Sequence, residues 1–315
     1  MSTDLIASSP SLTESLAEIA AVDGSIPRDA ALAMFRRHLA RTQHQLQRAF
    51  EHDELSGLTA AAALAGHMDA VVMALMDYTS AVARPNAPDR MTVVATGGYG
   101  RGFLAPFSDI DLLFLTEADP SEATLAAVEF ILYFLWDLGL KVGHATRSVE
   151  ECLAEARSDA TVRTTLLDAR CVVGEAGLFA EFRRRFRADC LDLGAAEFIR
   201  VKQAERAARH RRYGDSPFLV EPNVKEGRGA LRDLHYLHWV AAYVFDLRDI
   251  EELLSKDGPF GPMLTLREAR HFRRALDFLW TVRFHLHYVA GRPEERLTFD
   301  LQPIVGARMG YTRHG

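Results

Sequence analysis

The sequence predicts an α+β protein: a small mixed β-sheet with helices, followed by an all-helical domain. Three observations carry that expectation. Two short runs, Met91 to Thr96 and Asp109 to Leu115, read as strands on either side of a glycine-rich turn, Gly97 to Gly102. Apolar residues recur at helical spacing before and after this pair. Beyond Val149 almost every segment has the period of a helix.

Residues 1–27 read as a flexible leader, rich in Ser and Ala. Asp4 stands where an export signal is basic, and no apolar stretch follows, so no export is implied. Asp29 to Glu51 places Leu32, Phe35, Leu39, Leu46 and Phe50 on one helical face, and Leu58 to Val82 continues as an Ala-rich helix. Two prolines with Asn86 and Asp89 make residues 84–89 a break. The strand, turn and strand follow. Ser121 to Leu138 repeats Leu125, Val128, Leu132 and Leu135 as a helix, and Leu140 to Arg147 reads as a third strand, giving a sheet with helices on one side. Helices are then expected at 150–157, 161–169, 177–188, 195–212, 231–245 and 262–290. Tyr213 to Gly229 interrupts them with Pro217, Pro222 and glycines at 214, 227 and 229, and reads as a loop. The division expected is a leader (1–27), a sheet-containing domain with two leading helices (28–150) and a helical domain (151–315).

At 315 residues, with 48% of them apolar, the chain can bury a substantial core. Its formal charge of −6 supplies no global basic field, so no nucleic-acid partner is expected, while a local basic groove for a small anion is compatible with it. Cys152, Cys171 and Cys190 lack the spacing of a zinc site and the density of a disulfide scaffold. The unbroken apolar runs, such as Phe130 to Trp136 and Trp239 to Phe245, are shorter than the ~18 residues of a membrane span. No membrane contact and a cytoplasmic location are expected.

The chemistry concentrates between Thr96 and Leu115. Asp109 and Asp111, two apart on a strand, leave it on the same face. Two carboxylates that close repel unless a cation lies between them, and hard oxygen ligands suit Mg²⁺ or Mn²⁺. Gly97 and Gly98 follow the first strand, where the lack of Cβ atoms lets backbone N–H groups approach an anion. Ser108 adds a hydroxyl donor and Arg101 a charge-assisted phosphate contact. Together these parts suit attack on the α-phosphate of a nucleotide with pyrophosphate as leaving group. A Walker loop is excluded because no Gly-Lys-Ser/Thr is present, and a dinucleotide fingerprint because Phe103 stands where its third glycine belongs.

This pattern resembles the nucleotidyltransferases related to DNA polymerase β. The longer string Gly97-Gly-Tyr-Gly-Arg101 with Pro106-x-Ser-Asp-Ile-Asp-Leu-Leu113 resembles, more specifically, the bacterial PII uridylyltransferase/uridylyl-removing enzymes. Val142 to Arg147 with Glu150 to Cys152, Glu221 to His235, and Leu301 to Tyr311 are similar to that family in the same order. The resemblance implies a nucleotidyltransferase that moves UMP from UTP to a tyrosine of the PII nitrogen-regulatory protein. It implies Gly97 and Gly98 as phosphate cradle and Asp109 and Asp111 as ligands of Mg²⁺ or Mn²⁺. Family members carry a downstream His-Asp hydrolase domain for UMP removal and ACT domains for glutamine sensing. Gly315 precedes both, so a truncated fragment with transfer alone is expected. Ala230 stands where many relatives have glycine, and the strand 140–147 offers no third carboxylate, only His144, so no general base is assigned. Protein adenylyl transfer from ATP, and a non-catalytic fragment that binds PII or nucleotide, are the alternatives.

Lys225, Arg228 and Arg232, in and beside the loop, are expected to touch nucleotide or PII, because functional residues concentrate on loops that a scaffold positions. The basic residues of 195–212 read individually as a solvated helix face. The pairs His235 with His238 and His285 with His287 lack acids at ligand spacing and read as packing or surface.

Overall fold

The computed structural model describes residues 12, 26–82, 89–191, 194–214, 216, 218–246 and 264–311. The expected leader, apart from Leu12, Ile26 and Pro27, and the break at 84–88 lie outside the described residues, as do Pro217, Pro262 and Met263.

In chain order the elements are α1 (Arg28–Glu51), α2 (Gly57–Val82), β1 (Met91–Ala95), a one-turn α3 (Gly97–Gly100), β2 (Ile110–Thr116), α4 (Glu122–Asp137), β3 (Val142–Ser148), α5 (Val149–Ser158), α6 (Ala160–Leu167) and β4 (Arg170–Gly174). Then come α7 (Ala176–Phe186), running into a π-turn at Arg187–Leu191, α8 (Ala195–Tyr213), α9 (Leu231–Phe245), α10 (Leu266–Ala290) and α11 (Gln302–Arg308). Local chemistry sets several boundaries. Ser121 accepts from the Thr124 amide at the start of α4, Ser148 and Glu151 form a reciprocal cap on α5, and Thr265 with Glu268 does the same for α10.

The sheet has the order β3-β2-β1-β4, with β1 antiparallel to both neighbours and β2 parallel to β3. It is mixed, as expected, but β4 is an addition. Arg170–Gly174 carries only Cys171, Val172 and Val173 as strand-like residues, and backbone pairing with β1 makes the strand. The sheet therefore draws one strand from beyond residue 150, in a stretch expected to be helical.

Helices cover both faces of the sheet rather than one. Ile110, Leu112 and Phe114 pack into a core with α1, α2 and α4, while Leu113 and Leu115 pack into a second core that includes α5, α7 and Trp239. The nearly unbroken apolar run of β2 is the mark of a strand buried on both sides. Asp111 shares the pleat of Leu113 and Leu115, so it points toward the second layer.

The leading helices behave as their patterns predict: Leu32, Phe35, Leu39, Leu46 and Phe50 are all buried. Taken over its whole length, α2 is apolar enough to pass for a membrane span by length and composition, which a search for unbroken apolar runs does not reveal. In this fold Ala60, Leu64, Val71 and Leu75 are buried, and α2 packs chiefly against α10.

Candidate active site

Strand β1 is followed by Thr96, whose extended backbone leads into the α3 turn. Gly97 has φ +57°, a conformation open to glycine at no steric cost. The Thr96 amide donates to the Asp111 carbonyl at 3.0 Å, which ties the turn to β2. A Cβ on Gly97 would lie 3.1 Å from Asp111 Oδ2. Opposite, Asp111 pairs in register with Gly143 of β3, where a Cβ would run into Asp111 Oδ1. The Asp111 carboxylate thus sits in a notch walled by two glycines and faces the Gly97 turn. A glycine inside a strand marks such close approach, and that is the signal that would single out Gly143.

The notch opens into a cavity of about 640 Å³ between the sheet and the second helical layer, lined by Gly97, Gly98, Arg101, Asp111, Arg232 and Trp239 among others. Asp109, immediately before β2, is exposed. Burial raises the Asp111 carboxyl above the usual carboxylate range, and the charge of Asp109 raises it further, against a smaller lowering by Lys225 and Arg101. Asp111 is exposed to the cavity on one side, and the burial it feels comes from the Gly97 turn and the Gly143 strand close against its carboxylate. Such a pair fits a divalent cation, because a cation removes both the repulsion and the desolvation cost. Among the described residues no group of three or more His, Cys, Asp or Glu side chains forms a metal cage. The protein would therefore supply two carboxylates, leaving further positions to phosphate and water oxygens.

The cationic wall comes from distant elements. The Arg101 guanidinium pairs with Asp168 and lies 5.5 Å from the centre of the Trp239 ring. Arg232 and Lys202 each approach the same ring to 5.6 Å. Lys225 acts on Asp111 through its charge and sits 3.8 Å from Glu295. Burial depresses its pKa, helped by the charge of Arg283. Burial works to raise Glu295 as well, but His287, Arg283 and Lys225 overcome it and hold that carboxyl at about 2.

Asp233 anchors the loop that carries Lys225. It accepts from Arg206 at 3.0 Å, from Arg209, from His210 at 3.0 Å and from the Gly229 amide at 2.8 Å. At the other end, Asn223 Oδ1 accepts from the Lys225 and Glu226 amides, and Asn223 bridges to Arg296.

The structure thus brings Gly97, Gly98, Arg101, Asp111 and Arg232 to one cavity, with Asp109 and Lys225 within electrostatic reach. It does not bring Ser108 or Arg228 there. The Ser108 hydroxyl donates to the Ala105 carbonyl at 2.9 Å and accepts from the Ala105 amide, closing its own turn. Arg228 is exposed and lines a separate depression with Arg206 and Tyr236.

Several lining residues carry no local signal. Asp168, its side chain 1% exposed, accepts from Trp239 Nε1 at 3.0 Å and holds Arg101. It enters the cavity on the connection into β4, while β3, as its sequence already shows, carries no acid. Lys202 and Arg209, on a helix read as solvated, line the cavity, and the Lys202 side chain is 3% exposed. Arg200 and Arg211 do face solvent. His144 is exposed and edge-on to Trp136, while His235, His285 and His287 are buried.

Comparison with known proteins agrees with this geometry. Residues 81–168 match the family model of a nucleotidyltransferase domain, and residues 197–315 match that of the GlnD PII-uridylyltransferases. The bifunctional uridylyltransferase/uridylyl-removing enzyme of Gluconobacter oxydans is 49% identical over 308 residues, 95% of this chain and 32% of that protein. Those of Rhodopseudomonas palustris and Rhodospirillum rubrum are 47% and 43% identical, over 91% and 96% of this chain and 31% and 32% of theirs. The chain spans about a third of the length of these curated relatives. With a glycine-walled aspartate beside a cavity dense in charged side chains, the chain belongs to the PII-uridylyltransferase family and carries its nucleotidyltransferase domain.

Proposed function

We propose that this chain transfers UMP from UTP to a tyrosine of the PII protein and releases pyrophosphate. The observation that carries the proposal is the Asp111 notch: a carboxylate held against the Gly97 turn at the mouth of a cavity walled by Arg101, Lys202 and Arg232. The amides at the head of the Gly97–Gly98 turn reach phosphate oxygens that a side chain there would keep away. Arg101, Arg232 and Lys225 hold the triphosphate by charge. Asp109 and Asp111 hold Mg²⁺ or Mn²⁺, which when bound neutralises charge on the α-phosphate and the leaving oxygen. Asp168 keeps Arg101 in the cavity wall rather than in solvent. UTP and PII follow from the names of the relatives.

Incubation with PII, labelled UTP and Mg²⁺ is the test. The expected result is label on PII that excess UTP competes away and excess ATP does not. No label under conditions where a full-length relative modifies PII would contradict transfer, and competition by ATP instead would indicate adenylyl transfer.

A further inference from the structure

A second, smaller cavity of about 320 Å³ lies on the other side of Asp111, lined by Gly143, His144 and Arg147 of β3 facing Asp159, Thr161 and Thr165 at α6. Asp111, Thr161 and Thr165 line both cavities, so the two meet at the carboxylate. We infer that the smaller cavity receives the acceptor: the tyrosine of the partner protein enters along the edge strand β3 while the nucleotide occupies the larger cavity. This inference rests on the transferase reading above.

Three observations support the division. In-line displacement at phosphorus places the entering and leaving oxygens on opposite sides of the α-phosphate. The leaving pyrophosphate needs cations, and Arg101, Lys202, Arg209, Arg212 and Arg232 line the larger cavity, outnumbering Asp168, Glu205 and Glu226 there, whereas in the smaller one Arg147 faces Asp111 and Asp159. The entering oxygen must then come from the smaller side. Size agrees: ligand pockets run from about 300 to 1,000 Å³, so 640 Å³ suits a nucleotide and 320 Å³ a single side chain. Finally, β3 is an edge of the sheet, and Gly143 and His144 are exposed on it. An exposed edge with a glycine near its start lets a polypeptide lie close alongside. In the transfer the phenolic oxygen forms its bond to the α-phosphorus and the bond from that phosphorus to the bridging oxygen breaks. Pyrophosphate leaves with the electron pair, and the phenolic proton passes to water in the open cavity.

Arg147→Ala touches the smaller cavity and not the larger, whereas the His144 ring points to the opposite face of the sheet, against Trp136. Arg147 also pairs with Glu155, an ion pair with a 45% exposed partner, whose loss costs little stability. The expected result is a rise of about tenfold in the KM for PII, with Mg²⁺-UTP affinity by direct titration within about twofold of the parent protein. A fall in UTP affinity with an unchanged KM for PII, or no change in either, overturns the inference. As a second measurement, the photoreactive residue benzoylphenylalanine at position 147, on the Asp111 face of β3, is expected to cross-link to PII in the presence of Mg²⁺-UTP. A protein that labels PII but yields no cross-link speaks against the smaller cavity alone. One that binds Mg²⁺-UTP yet never labels PII removes the transferase reading itself.

Discussion

Gly143→Ala isolates the notch from the rest of the fold. Glycine inside a strand costs roughly 0.5–1 kcal/mol relative to alanine, and Gly143 is not among the glycines with positive φ, so the β3 backbone accepts alanine. The new methyl group, however, runs into Asp111 Oδ1, and the carboxylate must rotate away. Pushing a side chain about 30° off its rotamer costs about 0.5–1.5 kcal/mol. Gain and cost are of the same size, so the melting temperature should stay within a few degrees of the parent. Function should not survive the rotation. A catalytic metal contributes several kcal/mol, and 1.36 kcal/mol is tenfold in rate, so UMP transfer should fall by more than about a hundredfold. Transfer of labelled UMP to PII and thermal unfolding, with and without Mg²⁺-UTP, measure both quantities. Transfer within about threefold of the parent would mean that Asp111 does not depend on the gap Gly143 leaves.

Asp111→Asn should stabilise the metal-free protein. The raised folded-state pKa means that its contribution is present below the unfolded carboxylate value and lost as pH rises through the folded one, so ionised Asp111 opposes folding at neutral pH. Asp111 is exposed to the cavity, so solvent screens the effect, and a small rise in the urea midpoint at pH 7 is expected, with transfer abolished. An unchanged or lowered stability contradicts the electrostatic reading. Glu295→Gln should cost about 3 kcal/mol at pH 7, because the Arg283 and Lys225 cations lose their common anion. Glu295 holds at about 2 against 4.5 for a free glutamate, so its contribution is full above the unfolded value and fades as pH falls through about 4.5 toward 2. The gap between parent and variant should narrow over that window in denaturant titrations, and a gap independent of pH would exclude the carboxylate as its source. Asp233→Ala removes the acceptor shared by Arg206, Arg209, His210 and Gly229. Limited proteolysis should cut the 213–229 loop about tenfold faster, equivalent to about 1.4 kcal/mol of local stability; an unchanged rate would show that other contacts hold the loop.

Much of this site is legible in the sequence because its centre is local. Strand, glycine turn and Asp-x-Asp lie together between Met91 and Asp111, and the turn residues and the two-residue spacing of the acids fix their own geometry. Element boundaries such as Leu231–Phe245 follow from apolar spacing. What is not legible depends on pairing across the chain. Residues 170–174 become β4 only because β1 presents a free edge to them. Asp168 and Trp239, 71 positions apart, acquire meaning only when they meet over Arg101. Lys202 looks like any charged helix residue until the second layer closes over it. Conversely, Ser108 and Arg228 have suitable chemistry in suitable places along the chain, and only the folded backbone shows that one closes a turn and the other faces a different depression.

The central claim is that two carboxylates and a glycine turn seat a metal-bound nucleotide. Crystals grown with Mn²⁺ and UTP in the absence of PII address it directly through the anomalous signal of manganese. The expected map has a peak shared by Asp109 and Asp111, with the triphosphate passing over Gly97 and Gly98 toward Arg101 and Arg232. Manganese bound elsewhere, or a triphosphate lying along Gly143 and Arg147, would contradict it.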